Sequence, residues 1–392
     1  MFLHCVSCDL RSGHDPLRYV CPRCGSPLEV LYEPAELERA RAFEGRGVWR
    51  YRPLLPVEPG VTLGEGDTGL HRCERIGREL ALPRLFVKNE GENPTGSFKD
   101  RGMTVGIALA GVAGVHTVAC ASTGNTSASM SAYAARAGLS AIVLIPAGKV
   151  ASGKLAQAVA HGAVIAQVEG SFDDAMRLVV ELSTREKGVY LLNSLNPYRL
   201  EGQKTLAFEV CEALGDAPDV VVLPMGNAGN ISALWKGFKE FRELKRISKL
   251  PRMIGVQAEH AAPIVRAFRD GAELRPVEKP ETIATAIRIG APVNWKKAIM
   301  ALRESGGEAG TVTDAEILEA QQRLASREGL FVEPASAAPL AYLFRRRLED
   351  PGTVVCVATG HGLKDPEAVG RMPLKMERVK ARLEEIRELL AR

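Results

Sequence analysis

Short runs of β-branched and apolar residues alternate with stretches of helical periodicity along most of this 392-residue chain. Strands that alternate with helices in this way form parallel sheets covered by helices on both faces. The strands are too numerous for one modest sheet, so we predict two α/β domains with three layers each. The predicted strands are residues 85–88, 117–121, 141–145, 164–168, 189–192, 220–223, 253–257 and 354–358.

Helical periodicity is clearest in four stretches between those strands. They are residues 127–137, 172–186, 199–214 and 231–243. The C-terminal stretch 375–392 is also amphipathic. Its apolar residues recur at spacings of three or four: Val379, Leu383, Ile386 and Leu390. We expect this tail to dock on the body of the protein or on a partner subunit.

The charge balance gives no sign of a nucleic-acid or membrane surface. Lysine and arginine number 51 against 47 acidic residues, the net charge is +4, and the two signs are interspersed. The N-terminus lacks the basic and apolar regions of a secretory signal, and the apolar run at 105–115 is far shorter than the ~20 residues of a membrane span. We therefore expect a soluble protein with no nucleic-acid or membrane partner. Single cysteines scattered at positions 73, 120, 211 and 356 suit a reducing cytoplasm.

Residues 1–30 form a segment of their own, with two Cys-x-x-Cys pairs separated by twelve residues. Each pair makes a turn that aims two thiolates at one point, so two pairs complete a tetrahedral metal site. We predict a zinc-ribbon-like segment whose structural metal is zinc, with iron as the alternative ion. The other interpretations are a disulfide pair or four unrelated thiols. The predicted ligands are Cys5, Cys8, Cys21 and Cys24.

The segment NPTGSFKDRG at residues 93–102 places Lys99 at the start of a helix. The positive field at a helix N-terminus lowers the affinity of a lysine for its proton. A lysine with a lowered pKa is what a carbonyl cofactor needs to form a Schiff base. The alternative is an ordinary lysine exposed to solvent.

Three further junctions after predicted strands are rich in small polar residues. Ser, Thr and Asn at residues 122–127 could grip a carboxylate at a helix start, although plain N-capping is the alternative. The turn GNAGN at 226–230 suits a bare phosphate, because it lacks the spacing of a dinucleotide fingerprint and the lysine of a Walker A loop. The fourth junction, ATGHGLKD at 358–365, contains His361, which we interpret as a loop histidine rather than a general base.

Together these four motifs resemble the threonine synthase family of fold type II pyridoxal-phosphate enzymes. Further matches are LGEGDT at 63–68, TIATAIRIGAPVNW at 282–295 and EPAS at 333–336. The resemblance covers about residues 64–366, and ATGHGLKDP and AIRIG are its more specific parts. Gly69 departs from the pattern, because the family usually has proline there, and we expect little effect.

The resemblance implies a cofactor site for pyridoxal 5′-phosphate. Lys99 would form the Schiff base and later move protons. Asn125 would face the cofactor O3′, and Thr359 would face the pyridine nitrogen without forcing it to be protonated, as a carboxylate would. The cofactor phosphate would be held by backbone groups of Gly226, Asn227, Ala228, Gly229 and Asn230.

The resemblance also implies the substrate O-phospho-L-homoserine, which the enzyme would convert with water to L-threonine and phosphate. The substrate carboxylate would lie against Asn125 and its neighbours Ser122, Thr123 and Thr126. The substrate phosphate would lie against Asn193, Ser194, Asn196 and Arg199. A guanidinium is the natural partner of a phosphate, although Arg199 could instead form a salt bridge on a helix surface.

The implied fold has a large cofactor-binding domain at residues 31–100 and 201–392, and a small domain at 101–200 that carries the substrate-binding loop. The resemblance implies a homodimer. Two other functions remain open from the residues alone. One is another reaction on the same scaffold, such as that of threonine dehydratase or a β-replacing synthase. The other is a ribbon-bearing binding or regulatory protein without catalysis, which the intact Lys99 and phosphate turn argue against.

Overall fold

The computed structural model describes residues 1–40, 42–148, 152–186, 188–349, 351–370 and 376–390. All eight predicted runs are strands in it, and further strands lie in the N-terminal segment, at 70–72 and at 308–312. The strands are β1 Phe2–Cys5, β2 Arg11–Gly13, β3 Leu28–Leu31, β4 Leu70–Arg72, β5 Leu85–Asn89, β6 Thr117–Ala121, β7 Ser140–Pro146, β8 Val164–Val168, β9 Val189–Leu191, β10 Val220–Pro224, β11 Arg252–Ala258, β12 Glu308–Val312 and β13 Val354–Ala358.

Helices connect the strands and cover the sheets. The α-helices are α1 Pro34–Arg39, α2 Glu74–Leu80, α3 Lys99–Val112, α4 Asn125–Ala137, α5 Ser152–Ala160, α6 Phe172–Arg185, α7 Tyr198–Gln203, α8 Thr205–Leu214, α9 Gly229–Glu243, α10 Pro263–Asp270, α11 Trp295–Glu304, α12 Asp314–Glu328, α13 Pro334–Arg345, α14 Pro366–Val369 and α15 Leu383–Leu390. Short 3₁₀ turns lie at Val48–Leu54, Glu90–Glu92, Glu259–Ala261, Thr285–Ile287 and Gly362–Lys364. None of the described helices has both the length and the apolar character needed to cross a bilayer.

The larger sheet has the strand order β12-β11-β10-β13-β5-β4. Its pairs are parallel except at one edge, where β4 runs antiparallel to β5. The central strands β10 and β13 are buried along their whole length, because helices cover both faces of the sheet. Alternate residues of β10 therefore enter different cores: Val221 and Leu223 pack on one face, and Val220 and Val222 on the other. This confirms the predicted three layers and the parallel sheet, to which β4 adds one antiparallel edge strand.

The smaller sheet has the order β8-β7-β6-β9, and all its pairs are parallel. Its strands lie within residues 101–200, while the strands of the larger sheet lie outside that range. This distribution supports the domain boundaries that we propose. The N-terminal segment forms a third, antiparallel sheet in the order β2-β1-β3. Its buried residues Leu3, Tyr19 and Leu28 belong to the same hydrophobic core as Tyr190 of the smaller sheet.

Two helical predictions differ from the structure. The predicted helix at 199–214 is two helices, α7 and α8, that meet at Lys204. The predicted tail helix begins only at Leu383, where Glu384 and Glu385 in the first turn favour a helix start through the helix dipole. Residues 375, 391 and 392 of that prediction lie outside the described residues. Val379, Leu383 and Ile386 are 39%, 59% and 43% exposed, so these residues do not dock on the body, and docking on a partner subunit stays a prediction.

Candidate active site

A cavity of about 1350 Å³ lies where the loops after β6, β9, β10 and β13 meet. Ligands in parallel α/β folds bind at this position, at the carboxyl ends of the strands. Every cofactor-binding and substrate-binding residue predicted from the sequence lines it: Lys99, Ser122, Thr123, Asn125, Thr126, Asn193, Ser194, Arg199, Gly226, Asn227, Ala228, Gly229, Asn230 and Thr359. Asn196 lines it as well, whereas His361 is not among the lining residues.

Lys99 is the first residue of α3, and its amine lies 4.3 Å from the centre of the Phe98 ring. Burial, together with the nearby Arg199 guanidinium, lowers the pKa of Lys99 to about 7, while the Glu333 carboxylate acts in the opposite direction. The sequence predicted a lowered pKa from the helix terminus, but burial is the larger cause. A large fraction of Lys99 is therefore uncharged near neutral pH and can act as a nucleophile or a base.

The two residues that follow Lys99 are anchored by buried polar groups. Asp100 accepts hydrogen bonds from the Thr95 backbone N–H (2.7 Å) and from the Ser129 hydroxyl (2.6 Å). Arg101 is fully buried and donates to Glu90 and Glu209, each at 2.6 Å. Charge-assisted hydrogen bonds of this kind are strong and directional. They hold the first turn of α3 so that Lys99 is directed into the cavity.

The turn between β10 and α9 has the shape of an anion cradle. Ala228 adopts a left-handed conformation with φ of 61°, which directs successive N–H groups toward one point. Within the described part of the chain, the N–H groups of residues 226–230 donate to no backbone acceptor. A Cβ on Gly226 would approach the Ala286 carbonyl to 3.0 Å, so a side chain would crowd the cradle. Asn230 is 5% exposed, and neither polar atom of its side chain has a partner among the described residues.

Glu333 lies in the cavity between two of the predicted cofactor-facing residues. The Asn125 amide donates to its carboxylate at 3.0 and 3.2 Å, and the Thr359 hydroxyl donates at 3.0 Å. Thr359 also lies 3.0 Å from the Ser336 hydroxyl. Burial raises the pKa of Glu333, although its hydrogen bonds oppose that effect. Glu333 was not predicted as a site residue. The only signal for it in the sequence is the EPAS match at 333–336.

Arg199 is 2% exposed and faces the cavity from α7. Among the described residues its Nε and Nη2 have no hydrogen-bond partner, and no carboxylate pairs with it. The alternative of a salt bridge on a helix surface is therefore wrong. Burial without a counter-charge lowers the pKa of Arg199 to about 10. An unpaired buried guanidinium is costly unless a ligand supplies the anion, so this residue points to an anionic ligand.

The asparagines near Arg199 already have partners. The Asn193 side chain accepts from the Ala121 N–H at 2.9 Å and donates to the Ala121 carbonyl at 3.0 Å. Asn196 donates to the Leu191 carbonyl at 2.8 Å and accepts from the Tyr198 N–H at 3.0 Å. Both amides shape the loop that carries Arg199. Ser194 is half-buried and also lines the cavity.

The start of α4 presents another set of donors to the cavity. Thr123 and Thr126 are half-buried there, on either side of Asn125. The Ser122 hydroxyl accepts from the Gly124 N–H at 3.2 Å, which is local turn capping. At the opposite wall, the Lys364 amine donates to the Thr95 carbonyl at 2.9 Å and to the Gln157 side chain at 3.1 Å. The α4 terminus therefore remains the natural place for a carboxylate.

The four cysteines of the N-terminal segment form one cluster. Their sulfur atoms all lie within 4.8 Å of one another, and the Cys5–Cys24 and Cys8–Cys21 pairs are each 3.5 Å apart. None of the four is in a disulfide, so the disulfide interpretation is wrong. A tetrahedral zinc site with Zn–S bonds of about 2.3 Å places its sulfurs about 3.8 Å apart. The cluster therefore fits a closed, four-thiolate metal site.

Residues 61–360 match the family model described as pyridoxal-phosphate dependent enzyme. The threonine synthase of Methanocaldococcus jannaschii is 53% identical over 397 aligned residues, which cover 96% of this chain and 97% of that protein. The threonine synthase of Methanosarcina acetivorans is 51% identical, with coverage of 99% and 98%. The chain belongs to the threonine synthase family. Its membership makes it a pyridoxal-phosphate-dependent lyase.

Solved structures place this threonine synthase family member in a wider fold group. Threonine deaminase isoform 2 from Solanum lycopersicum has a TM-score of 0.65 at 20% identity, covering 78% of this chain and 88% of that one. A pyridoxal 5′-phosphate-dependent aspartate racemase has a TM-score of 0.64 at 20% identity, with coverage of 75% and 90%. At this identity the likeness shows the fold alone, which is the predicted fold type II.

Proposed function

We propose that this threonine synthase family member converts O-phospho-L-homoserine and water to L-threonine and phosphate, with pyridoxal phosphate attached to Lys99. The observation that carries the proposal is the pairing of two cations in one cavity. Lys99 has a pKa of about 7, and Arg199 is buried without a carboxylate partner. The first suits covalent attachment to a carbonyl and proton transfer, and the second suits a phosphate on the substrate.

The residues of the cavity fit the cofactor. The cradle at 226–230 and the N-terminus of α9 would bind its phosphate through backbone N–H groups. Asn125 and Thr359 would face its ring oxygen and ring nitrogen. When bound, the cofactor withdraws electrons from the substrate α-carbon and so makes the Cα–H bond acidic.

Lys99 is the group that moves protons. When its amine is free in the substrate complex, a pKa of about 7 would leave it ready to accept the Cα proton. The same amine would take a proton from Cβ as phosphate leaves from Cγ, deliver a proton to Cγ, and return a proton to Cα after water has added at Cβ. The anchored residues Asp100 and Arg101, which follow it in α3, keep it directed toward the substrate.

Two elements hold the ends of the substrate. The α4 start, with Ser122, Thr123 and Thr126, would take the carboxylate through N–H and hydroxyl donors. Arg199 and Ser194 would take the phosphate, and Asn193 would hold their loop in place. A fixed guanidinium stabilises the charge of phosphate as it leaves, because it needs no rearrangement at that moment.

Glu333 is a positioning residue in this scheme. One carboxylate accepts from both Asn125 and Thr359, so it sets the directions in which the amide and the hydroxyl present their remaining atoms to the ring. When Glu333 is ionised, its carboxylate accepts the hydrogen bond of the Thr359 hydroxyl. When Glu333 is protonated, that hydroxyl is free to donate to the ring nitrogen instead.

A substrate panel tests the proposed reaction. The holoenzyme should release phosphate and threonine in equal amounts from O-phosphohomoserine. The alternative, a dehydratase or a β-replacing synthase, has no departing phosphate for Arg199 to bind. A preference for threonine or serine, with ammonia as product, would put the dehydratase first.

Three further assignments belong to this proposal. The four-cysteine cluster would hold a structural zinc, since four thiolates leave no open position for catalysis. The unpaired cysteines suit a cytoplasmic location. The family resemblance supports a homodimer, which analytical ultracentrifugation measures directly.

A further inference from the structure

We infer that the N-terminal cysteine ribbon, residues 1–31, positions Arg199 for phosphate binding by holding the other side of its helix through Tyr198. The inference rests on the proposed function, because it takes Arg199 as the ligand of the substrate phosphate. The proposed reaction gives the ribbon no role. Two of its hydrogen bonds and two of its ring contacts with the body fall on the segment that leads to and carries Arg199.

Tyr198 is the first contact. It is fully buried, and its hydroxyl donates to the Asp15 carbonyl of the ribbon at 2.7 Å. The His14 ring packs edge-on against the Tyr198 ring, with 5.3 Å between their centres. Neighbouring residues on a helix point about 100° apart, so Tyr198 faces the ribbon while Arg199 faces the cavity. The ribbon thus contacts one side of the first turn of α7, and the Arg199 side chain lines the cavity on the other side.

The strand that leads to Arg199 makes the second contact. The Leu191 N–H, at the end of β9, donates to the Tyr19 hydroxyl of the ribbon at 3.2 Å. The Tyr19 and Tyr190 rings meet edge-on, with 5.7 Å between their centres. The Leu191 carbonyl in turn accepts from Asn196, which caps the turn before α7. The ribbon therefore holds both ends of the loop between β9 and α7.

A third contact reaches the opposite side of that loop. The buried Lys297 amine of α11 donates to the Leu28 carbonyl of the ribbon at 2.7 Å. Asn294, just before α11, donates to the Ser194 carbonyl at 3.0 Å. The ribbon thus also supports the helix that holds the Ser194 loop.

Arg199 needs this support because it has little of its own. Its Nε and Nη2 have no partner among the described residues, so no ion pair holds the guanidinium in place. Helix α7 has only six residues and lacks a side-chain N-cap, and such a short helix depends on tertiary packing. The direction of the guanidinium is therefore set by what packs on the rest of the turn.

The metal site ties these contacts together. Asp15 and Tyr19 lie in the stretch between Cys8 and Cys21, where β2 is only three residues long. Ligation by four thiolates closes this stretch at both ends and gives a small sheet the stability that its own core lacks. Loss of the metal would free Asp15 and Tyr19 to move, and the cation in the cavity would lose its fixed direction.

The test compares three changes in the holoenzyme. Tyr198→Phe removes the hydroxyl that reaches Asp15 and keeps the ring. Cys5→Ser with Cys21→Ser removes metal ligands. Tyr51→Phe is the matched control, because its buried hydroxyl donates at 2.7 Å to Glu212 in a different core. Calorimetry measures the affinity for inorganic phosphate, and absorbance titration measures the affinity for the cofactor.

We expect Tyr198→Phe to weaken phosphate binding about 3- to 10-fold and to raise KM for the phosphorylated substrate more than it lowers kcat, as the loss of one hydrogen bond predicts. The metal-free variant should lose more. Tyr51→Phe should leave phosphate binding unchanged, and cofactor affinity should be unchanged in all three. If the cysteine variant does not fold, Tyr198→Phe with intact metal content decides the question.

Three results would overturn the inference. One is unchanged phosphate affinity in Tyr198→Phe while Arg199→Ala abolishes binding; the proposed function would then stand and the ribbon would have no part in it. Another is an equal loss of cofactor affinity, which would mean general loosening of the protein. Hydrogen exchange at residues 193–203 distinguishes failure of this inference from failure of the proposed function. Removal of the metal could speed exchange there while Arg199→Ala leaves phosphate affinity unchanged. That result would overturn the phosphate role of Arg199 and with it this inference. It would show only that the ribbon contacts this segment.

Discussion

Replacing Arg199 by alanine should cripple threonine formation from O-phosphohomoserine. The guanidinium is 2% exposed, and two of its nitrogens have no partner among the described residues, so in the complex it can give the phosphate a desolvated, two-point contact. Removing one member of such a buried charge pair costs about 2–5 kcal/mol. That range corresponds to a fall in kcat/KM of about 30- to 5,000-fold.

The structure also predicts a change in pH dependence. Arg199 is one of the causes that lower the pKa of Lys99 to about 7. Without that positive charge Lys99 binds its proton more readily, so its pKa rises in the variant. The pH at which the amine loses its proton should therefore increase, which a pH profile of kcat measures, because the Lys99 amine is free only in the substrate complex.

Two matched variants interpret the result. Arg199→Lys keeps the charge but not the planar fork, so it should recover the Lys99 pKa and only part of the phosphate affinity. Arg185→Ala removes an exposed arginine that pairs with Glu181 on a helix surface at 3.0 Å, and it should change nothing. Turnover that survives Arg199→Ala as it survives Arg185→Ala would refute the argument that a buried, unpaired cation marks the phosphate site.

Four other changes follow from the same site. Lys99→Ala should abolish turnover, and borohydride reduction of the wild-type holoenzyme should attach the cofactor to the peptide that contains Lys99; a label on another lysine contradicts this. Thr359→Val should lower kcat about tenfold to a thousandfold and shift the cofactor absorbance, and unchanged spectra would place it away from the ring. Burial raises the pKa of Glu333, so its ionisation disfavours folding as the pH rises above the ordinary pKa of a glutamate. Glu333→Gln should therefore raise the melting temperature of the apoprotein near pH ~8 and not near pH ~4. Equal effects of the substitution at the two pH values would contradict the raised pKa. Cys5→Ser with Cys21→Ser should lose the bound metal in elemental analysis, and full metal retention would show that the ligands lie elsewhere.

Features that depend on neighbouring residues could be predicted from the sequence. The alternation of strands and helices predicted the fold class, because the sequence of a buried strand such as β10 is a continuous apolar run. The paired Cys-x-x-Cys motifs predicted the cluster, because two short turns determine where four sulfurs can go. The polar junctions predicted the cavity wall, since the carboxyl ends of parallel strands share one edge of a sheet.

The strands that were not predicted carry little local signal. The edge strand β12 reads Glu-Ala-Gly-Thr-Val, and its conformation comes from pairing with β11 rather than from an apolar run of its own. In the same way, β4 has three residues and depends on β5. The break between α7 and α8 at Lys204 lies in a stretch whose helical periodicity continues on both sides.

Burial and partnership were decided by the tertiary structure alone. Glu333 meets Asn125 across 208 positions of sequence, and Tyr198 meets Asp15 across 183, so no window of the sequence contains either contact. From the sequence, Arg199 could either form a surface ion pair or bind a phosphate. Its burial without a carboxylate partner excludes the surface ion pair. The sequence alone determines which residue types follow each strand, because that is a local property. Whether a charge is paired, buried or free depends on which distant elements pack against it, and only the assembled fold determines that.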